Sequence, residues 1–85
     1  MWRVAVAKGA VRSIERLPAA EQARVEEALA ALGRNPFDPA HSKALKPGRD
    51  RHRWRVGEYR IFYTLDREAK VAVISDVLRR TSTTY

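Results

Sequence analysis

Residues 56–59, with the sequence VGEY, constrain the fold of this chain more than any other segment, because a two-residue hairpin turn fits there. Gly57 occupies the first central position, where a type II′ turn requires a positive φ that glycine adopts without strain. A turn of this length fixes the pairing of the strands on either side of it. The predicted cross-strand pairs are Val56 with Tyr59, Arg55 with Arg60, Trp54 with Ile61, and Arg53 with Phe62.

This register sorts the side chains of the hairpin onto two faces, because successive residues of a strand point to opposite sides of a sheet. The face predicted to lie toward the core carries Trp54, Val56, Tyr59 and Ile61. The other face carries Arg53, Arg55 and Arg60. Like charges directly opposite each other destabilise a sheet by a few tenths of a kcal/mol. Their presence therefore favours a face that binds phosphate groups, for which arginine has a matching fork of donors. The alternative is a solvated face whose long side chains spread into water.

The basic residues of the chain are concentrated around this hairpin. The chain has 85 residues, 17 of them Lys or Arg and 10 Asp or Glu, which gives a formal net charge of +7. That length allows a single domain spanning residues 1–85. Between positions 43 and 60, seven basic residues stand against two acidic ones. Such a concentration within a folded domain is typical of a protein with a polyanionic partner.

Composition excludes several classes of site. The chain has no cysteine, which rules out disulfides, a thiol nucleophile and cysteine-bound zinc. Its two histidines, His41 and His52, cannot form a metal site by themselves, so we expect no metal and no cofactor. The apolar runs are far shorter than the ~20 residues of a membrane helix. The N-terminal residues lack the apolar region of a secretory signal. We therefore expect a soluble cytoplasmic protein without membrane contact.

The segments before the hairpin predict a strand followed by two helices. Residues 2–7 alternate with period two, as in a strand with one buried face. The apolar stripe of a short first helix comprises Val11, Ile14 and Leu17, and Pro18 then starts a second helix. The stripe of the second helix comprises Val25, Ala28, Leu29 and Leu32. We expect Gly33 to cap this helix, with residues 33–42 as a loop.

The segments after the turn complete an α+β fold. Residues 59–65 are rich in aromatic and β-branched types, residues 66–69 form a turn, and residues 70–78 form a last strand. The predicted order is β-α-α-β-β-β. Two N-terminal helices would pack on one face of a largely antiparallel four-stranded sheet.

Four parts of the sequence together resemble the RelE/ParE toxin superfamily, and are most similar to its RelE-type, ribosome-dependent mRNA interferases of bacterial type II toxin–antitoxin pairs. They are the strand–helix–helix beginning, residues 43–46 (KALK), residues 53–63 (RWRVGEYRIFY) and residues 77–85 (VLRRTSTTY). The resemblance covers essentially the whole chain, and RVGEYR is its most specific part.

The resemblance implies roles for named residues. It implies Arg60, Arg79 and Tyr85 as catalytic residues. The family often has a further arginine two positions beyond Arg79, where this chain has Thr81. The residues implied to bind RNA are Arg53, Arg55, Lys43, Lys46 and Arg80.

The implied chemistry is RNA cleavage without a metal, in which a ribose 2′-hydroxyl attacks the adjacent phosphate. Arg60 and Arg79 would neutralise the charge of the phosphorane, and Tyr85 would act as general base if nearby cations lower its pKa. The general acid is not assigned. Strand alternation turns His52 away from Arg53 and Arg55, and Glu58 fits a solvated turn position better than a catalytic one.

The resemblance also implies partners and leaves two further functions open. The substrate would be mRNA in the A site of the 30S subunit, and a cognate acidic antitoxin would hold the toxin inactive in a hetero-oligomer. One alternative is a ParE-like DNA gyrase inhibitor with the same fold and no nuclease activity. The other is a nucleic-acid-binding module without activity.

Overall fold

The computed structural model describes residues 1–45 and 50–79, which form one five-stranded sheet and two helices. The elements are β1 (Arg3–Val6), α1 (Lys8–Glu15), α2 (Ala19–Arg34), β2 (Ser42–Ala44), β3 (Arg51–Val56), β4 (Tyr59–Asp66) and β5 (Val71–Arg79). The strand order is β1-β5-β4-β3-β2, with β1 parallel to β5 and the other neighbours antiparallel. The predicted α+β fold, with both helices on one face, is confirmed, although the sheet has five strands where four were expected.

The additional strand is β2, which pairs with β3 at the edge of the sheet. It follows a proline-containing segment and contains three residues, which are too few to show a period-two pattern. A contact distant in sequence supports it: the Ser42 Oγ lies 2.7 Å from the hydroxyl of Tyr63 on β4. The Tyr63 hydroxyl also donates a hydrogen bond to the Pro36 carbonyl at 2.5 Å. One buried phenol therefore anchors both the loop after α2 and the edge strand.

The hairpin has the predicted register at all four pairs between Val56–Tyr59 and Arg53–Phe62. Gly57 has a φ of +57°, and Lys70 is the one non-glycine residue with positive φ in the described parts of the chain. Positive φ at the first central position alone is the signature of a type II′ turn. The turn therefore aligns the two strands as the sequence indicated.

The helices bury one face each, with two local differences from the predicted pattern. In α1, Ala10 and Ile14 are buried, whereas Val11 is exposed. Gly33 lies inside α2, which ends at Arg34 and is followed by the C-cap residue Asn35. A Cβ at Gly33 would lie 3.2 Å from the Trp2 carbonyl oxygen, so the glycine permits close packing of α2 on the chain just before β1. The predicted cap at Gly33 is therefore wrong.

The core lies between the helices and one face of the sheet. Its largest fully buried side chains are Trp54, Tyr63, Leu32, Ile61, Ile74 and Val25. Burying each large apolar side chain of this kind contributes roughly 1.5–3 kcal/mol. Neither helix is both long and apolar enough to cross a membrane, as far as the described residues go.

The pairing of β4 with β5 contains an irregularity that changes which face the end of β5 presents. Phe62 pairs with Asp76, but the next residue, Tyr63, pairs with Ile74. Ser75 is thus an extra residue, as in a β-bulge. The bulge lets Ile74 and Val77 both point into the core although they are three residues apart.

Candidate nucleic-acid interface

The face of the sheet opposite the helices collects basic side chains from three neighbouring strands. We call this surface the open face. Directly paired residues of antiparallel strands point to the same side. The register therefore places Arg55 and Arg60 side by side, and Lys43 beside Arg53. These four residues, which the sequence singled out as candidate RNA-binding or catalytic groups, share one face.

The four side chains differ in exposure. Arg55 and Lys43 are exposed, whereas Arg53 and Arg60 are half-buried. The Nε atom of Arg60 is buried, so part of its guanidinium is shielded from solvent. An arginine side chain has a planar fork of donors that suits bidentate contact with a phosphate.

A further cation on the open face was not among the predicted site residues. Arg51 is the first residue of β3, lies two positions before Arg53, and pairs with Thr64. Its signal was the alternation of arginines at positions 51, 53 and 55. The predicted strand began at residue 53, and the prediction therefore missed Arg51.

Arg79 lies on the other side of the sheet. It pairs with the buried Tyr59, and its Nη2 lies 3.6 Å from the Glu58 Oε1 at an exposed ion pair. Strict alternation from Ile74 would put Arg79 on the open face, but the bulge at Ser75 reverses the parity of the strand after it. The structure therefore brings Arg60 together with Arg53 and Arg55 and places Arg79 at the margin beside the hairpin turn.

His52 and Glu58, which the sequence argument set aside, lie where that argument placed them. His52 is buried on the helix side, where its ring stacks on Tyr63 with centroids 5.4 Å apart. Its Nε2 lies 3.3 Å from the Asp50 Oδ1. Glu58 is exposed in the hairpin turn. Neither side chain lies among the cations of the open face.

Three of the predicted site residues lie outside the described part of the chain. They are Lys46, Arg80 and Tyr85. Their roles stay predictions.

A charged cluster at the start of β3 supports the open face from the side. Arg67 binds the Asp50 carboxylate through two nitrogens, at 2.6 and 3.0 Å. This hydrogen bond, aided by His52, lowers the pKa of Asp50 from 3.8 to about 2. The Arg67 guanidinium also lies over the ring of Phe37, 5.0 Å from its centroid. These contacts connect the start of β3 to the loop after α2.

Tyr63 shows the opposite kind of pKa shift. Burial raises the pKa of its hydroxyl above 10.0, because the phenolate would be poorly solvated there. The residue thus stays a neutral donor that holds the Pro36 carbonyl. A phenol in this state is structural and is unsuited to act as a base.

A groove of about 600 Å³ lies between α2 and the end of β3. Its cations are Arg24 and Arg34 from α2 and Arg55 from β3, and Glu27 is its acidic residue. His41 stacks on the ring of Trp54 at one side, with centroids 4.9 Å apart. Arg55 lines both this groove and the open face, so the two basic surfaces are continuous.

Comparison with known proteins identifies the family. The model of the ParE toxin of the type II toxin–antitoxin system parDE matches residues 4–83. A search of curated proteins found no match. The toxin–antitoxin complex RelBE2 from Mycobacterium tuberculosis contains a chain that is 30% identical, with a TM-score of 0.81 and coverage of 93% of this chain and 98% of that chain.

Two further solved structures have the same fold. The archaeal RelE–RelB complex from Pyrococcus horikoshii OT3 gives a TM-score of 0.80 at 26% identity, and covers 96% of this chain and 98% of that chain. The isolated E. coli RelE toxin gives a TM-score of 0.81 at 15% identity, and covers 98% of this chain and 88% of that chain. The family model spans nearly the whole sequence, and the fold agrees with it. This chain is a type II toxin that belongs to the ParE toxin family, within the RelE/ParE toxin superfamily.

Proposed function

We propose that this toxin is a ribosome-dependent endoribonuclease that cleaves mRNA without a metal and so inhibits translation. The observation that carries the proposal is the gathering of Lys43, Arg53, Arg55 and Arg60 on the open face. A sheet chosen only for stability would not place like charges directly opposite each other. A ribose–phosphate chain lying across these strands would compensate their repulsion.

The reaction that fits this face is attack of a ribose 2′-oxygen on the adjacent phosphorus, with departure of the 5′-oxygen of the next nucleotide. The products are a 2′,3′-cyclic phosphate and a 5′-hydroxyl, so the 2′-proton leaves and the 5′-oxygen gains one. Arg60 is the candidate for the negative charge that develops on the phosphorane, and Arg53 and Arg55 are the candidates for holding the backbone in line. Tyr85, from the predicted set, remains the candidate base.

Dependence on the ribosome follows from the small number of acid–base groups. The groups brought together on the open face are cationic, and arginine stays protonated at any physiological pH. Such a face binds and stabilises charge but moves protons poorly. We therefore expect the ribosomal A site to supply the geometry of the substrate, which would place the protein's action in the cytoplasm.

The second candidate function is inhibition of DNA gyrase. The description of the matching family as the ParE toxin favours it, and the fold serves both branches of the superfamily. The placement of Arg79 away from Arg60 also favours it, since it separates two residues that a nuclease of the predicted kind would use together. We favour the nuclease over the gyrase inhibitor because of the basic residues gathered on the open face.

The proposed partner is an acidic antitoxin. Similar chains occur in complexes with RelB-type antitoxins in P. horikoshii and M. tuberculosis. The basic groove between α2 and β3 is continuous with the open face through Arg55. An acidic, partly disordered chain that covers both surfaces would block RNA and neutralise the excess charge.

A cell-free translation reaction tests the nuclease. We expect mRNA fragments ending within A-site codons with the wild-type toxin, and loss of these fragments with Arg60→Ala or Arg55→Ala. Arg3→Ala on β1 is a control that removes one exposed arginine from the margin of the same face. Intact mRNA with continuing translation would overturn the proposal. A supercoiling assay run in parallel identifies the gyrase alternative, which predicts inhibition of gyrase at concentrations that spare translation.

A further inference from the structure

The edge strand β2 places a cation, Lys43, at the margin of the open face. Lys43 is exposed and pairs with Arg53, so two positive charges adjoin there. Strand β2 has three residues and a single neighbour, β3, because it lies at the end of the strand order. Repulsion between directly paired cations weakens the attachment of such a strand. The position of Lys43 therefore depends on contacts of β2 beyond its pairing with β3.

One such contact is made on the opposite side of β2, where Ser42 faces the core. Ser42 is half-buried and pairs with the buried Trp54. The Ser42 Oγ lies 2.7 Å from the hydroxyl oxygen of Tyr63, which donates its own proton to the Pro36 carbonyl. A phenol has one proton to donate, so the Ser42 hydroxyl is the donor toward Tyr63. The residue next to Lys43 is thus tied to β4, on the far side of β3.

We propose that Tyr63 is a positioning residue for Lys43 on the open face, and that it acts through Ser42. The phenol holds Ser42 on the helix side of β2, and strand alternation then turns Lys43 to the open face. Lysine carries a compact charge on a flexible stem, so its contribution to phosphate binding depends on where its backbone is held. The inference rests on the proposed function, because Lys43 meets a phosphate only if RNA lies on the open face.

Binding of an RNA that cannot be cleaved tests this role. A fluorescein-labelled octanucleotide of 2′-O-methyluridine lacks the nucleophile, and fluorescence anisotropy at a series of salt concentrations gives its dissociation constant. We expect Lys43→Ala to weaken binding about fivefold and to lower the salt dependence by about one phosphate contact. Ser42→Ala breaks the link to β2 but leaves the bond between Tyr63 and Pro36, and should weaken binding about threefold.

Double variants distinguish positioning from a general loss of stability. Once Lys43 is absent its position no longer matters, so Ser42→Ala should add no further weakening to Lys43→Ala. In the Arg60→Ala background Ser42→Ala should keep its full effect, because Arg60 is in β4 and does not depend on the placement of β2. A change that merely loosened the fold would weaken binding in both backgrounds.

Three further variants make the comparison specific to the hydroxyl groups. Ser42→Thr keeps the donor on a residue type that favours strands, and should bind RNA like the wild type. Tyr63→Phe removes the acceptor and should weaken binding at least as much as Ser42→Ala. Ser75→Ala is the matched control, because the Ser75 hydroxyl of β5 donates to the Phe62 carbonyl at 3.1 Å, away from β2. It should leave RNA binding unchanged.

The outcomes separate this inference from the proposed nuclease. Unchanged binding by Ser42→Ala, or an equal effect of Ser42→Ala with and without Lys43, would overturn the positioning role even if mRNA is cleaved in the translation reaction. Failure of the wild-type toxin to bind the oligonucleotide would overturn it as well. An effect of Ser42→Ala that disappears in the Lys43→Ala background would support the role, and intact mRNA in the same preparation would then remove only the nuclease.

Discussion

Arg55 and Arg60 lie directly opposite each other on β3 and β4, and both point away from the helices. A second like-charge pair lies on the same face, where Arg53 of β3 is directly opposite Lys43 of β2. Two like-charge pairs in succession cost stability. A small domain has little stability to spare, because it buries a modest fraction of its surface. The arrangement is therefore best explained by what the open face binds.

Relief of the charge repulsion should stabilise the protein while it impairs RNA binding. We expect Arg55→Thr to raise the free energy of unfolding by about 0.5 kcal/mol, because threonine favours strands and the like-charge pair is lost. Urea unfolding at low salt measures the change, which should shrink as salt screens the repulsion. Arg3→Thr is the matched control, since Arg3 lies opposite Val71. A less stable Arg55→Thr protein would show that Arg55 contributes to the fold.

The hairpin turn depends on the absence of a side chain at Gly57. Its φ of +57° is costly for other residues, and an added Cβ would lie 3.3 Å from the Arg24 Nη1. We expect Gly57→Ala to lower the free energy of unfolding by about 1–2 kcal/mol. Gly9→Ala should act in the opposite direction, by about 0.5–1 kcal/mol, because that glycine is in α1 and a Cβ there meets nothing within 4 Å. Thermal unfolding of both variants checks the pair of signs, and equal effects of the two changes would refute the argument.

The register of the hairpin and the faces of its arginines could be predicted because a two-residue turn leaves one possible alignment. The rest of the site depends on contacts between distant residues. Strand β2 pairs with β3 and is linked through Ser42 to the Tyr63 hydroxyl, which also binds Pro36, and no local sequence pattern records these contacts. Gly33 was interpreted as a helix cap, yet it serves the packing of α2 against the chain just before β1.

The face on which Arg79 lies also could not be predicted from local sequence pattern. Alternation along β5 would have grouped Arg79 with Arg60, but the extra residue Ser75 reverses the parity of the strand. A bulge is a response to pairing with β4 and has no signal in the sequence of β5 alone. The family resemblance correctly identified the superfamily without settling which face each residue occupies.

The edge strand should loosen when the buried phenol is removed. Tyr63→Phe leaves the Pro36 carbonyl without its donor and removes the link to Ser42. We expect a loss of about 1–3 kcal/mol, the usual cost of an unsatisfied buried polar group. Hydrogen exchange should show faster exchange at Ser42–Ala44, with less change in β4. Tyr59→Phe is the control, because Tyr59 is equally a core tyrosine of β4 and its hydroxyl forms no hydrogen bond within residues 1–45 and 50–79. Protection of β2 that matches the wild type would mean that the backbone pairing with β3 is sufficient.

The cluster of Asp50 with Arg67 makes stability depend on pH in the acid range. The pKa of Asp50 is lowered from 3.8 to about 2 by the hydrogen bond with Arg67, with a smaller part from His52. A lowered folded-state pKa means that the unfolded chain takes up the proton first as the pH falls. The stabilisation is therefore complete above about pH 4 and is lost progressively between pH 4 and pH 2. We expect Asp50→Asn to be less stable than the wild type near neutral pH, with the difference shrinking through that window.

Urea unfolding at pH values from about 6 to about 2 measures this difference directly. Arg67→Gln should reproduce the shrinking difference, because it removes the main cause of the shift. Glu68→Gln, next to Arg67 in the turn, should follow the wild type at every pH. Parallel curves for wild type and Asp50→Asn would mean that Asp50 keeps the same pKa in the folded and unfolded chains. The bidentate contact with Arg67 would then contribute nothing to the attachment of β3, and the open face would depend on its strand pairing alone.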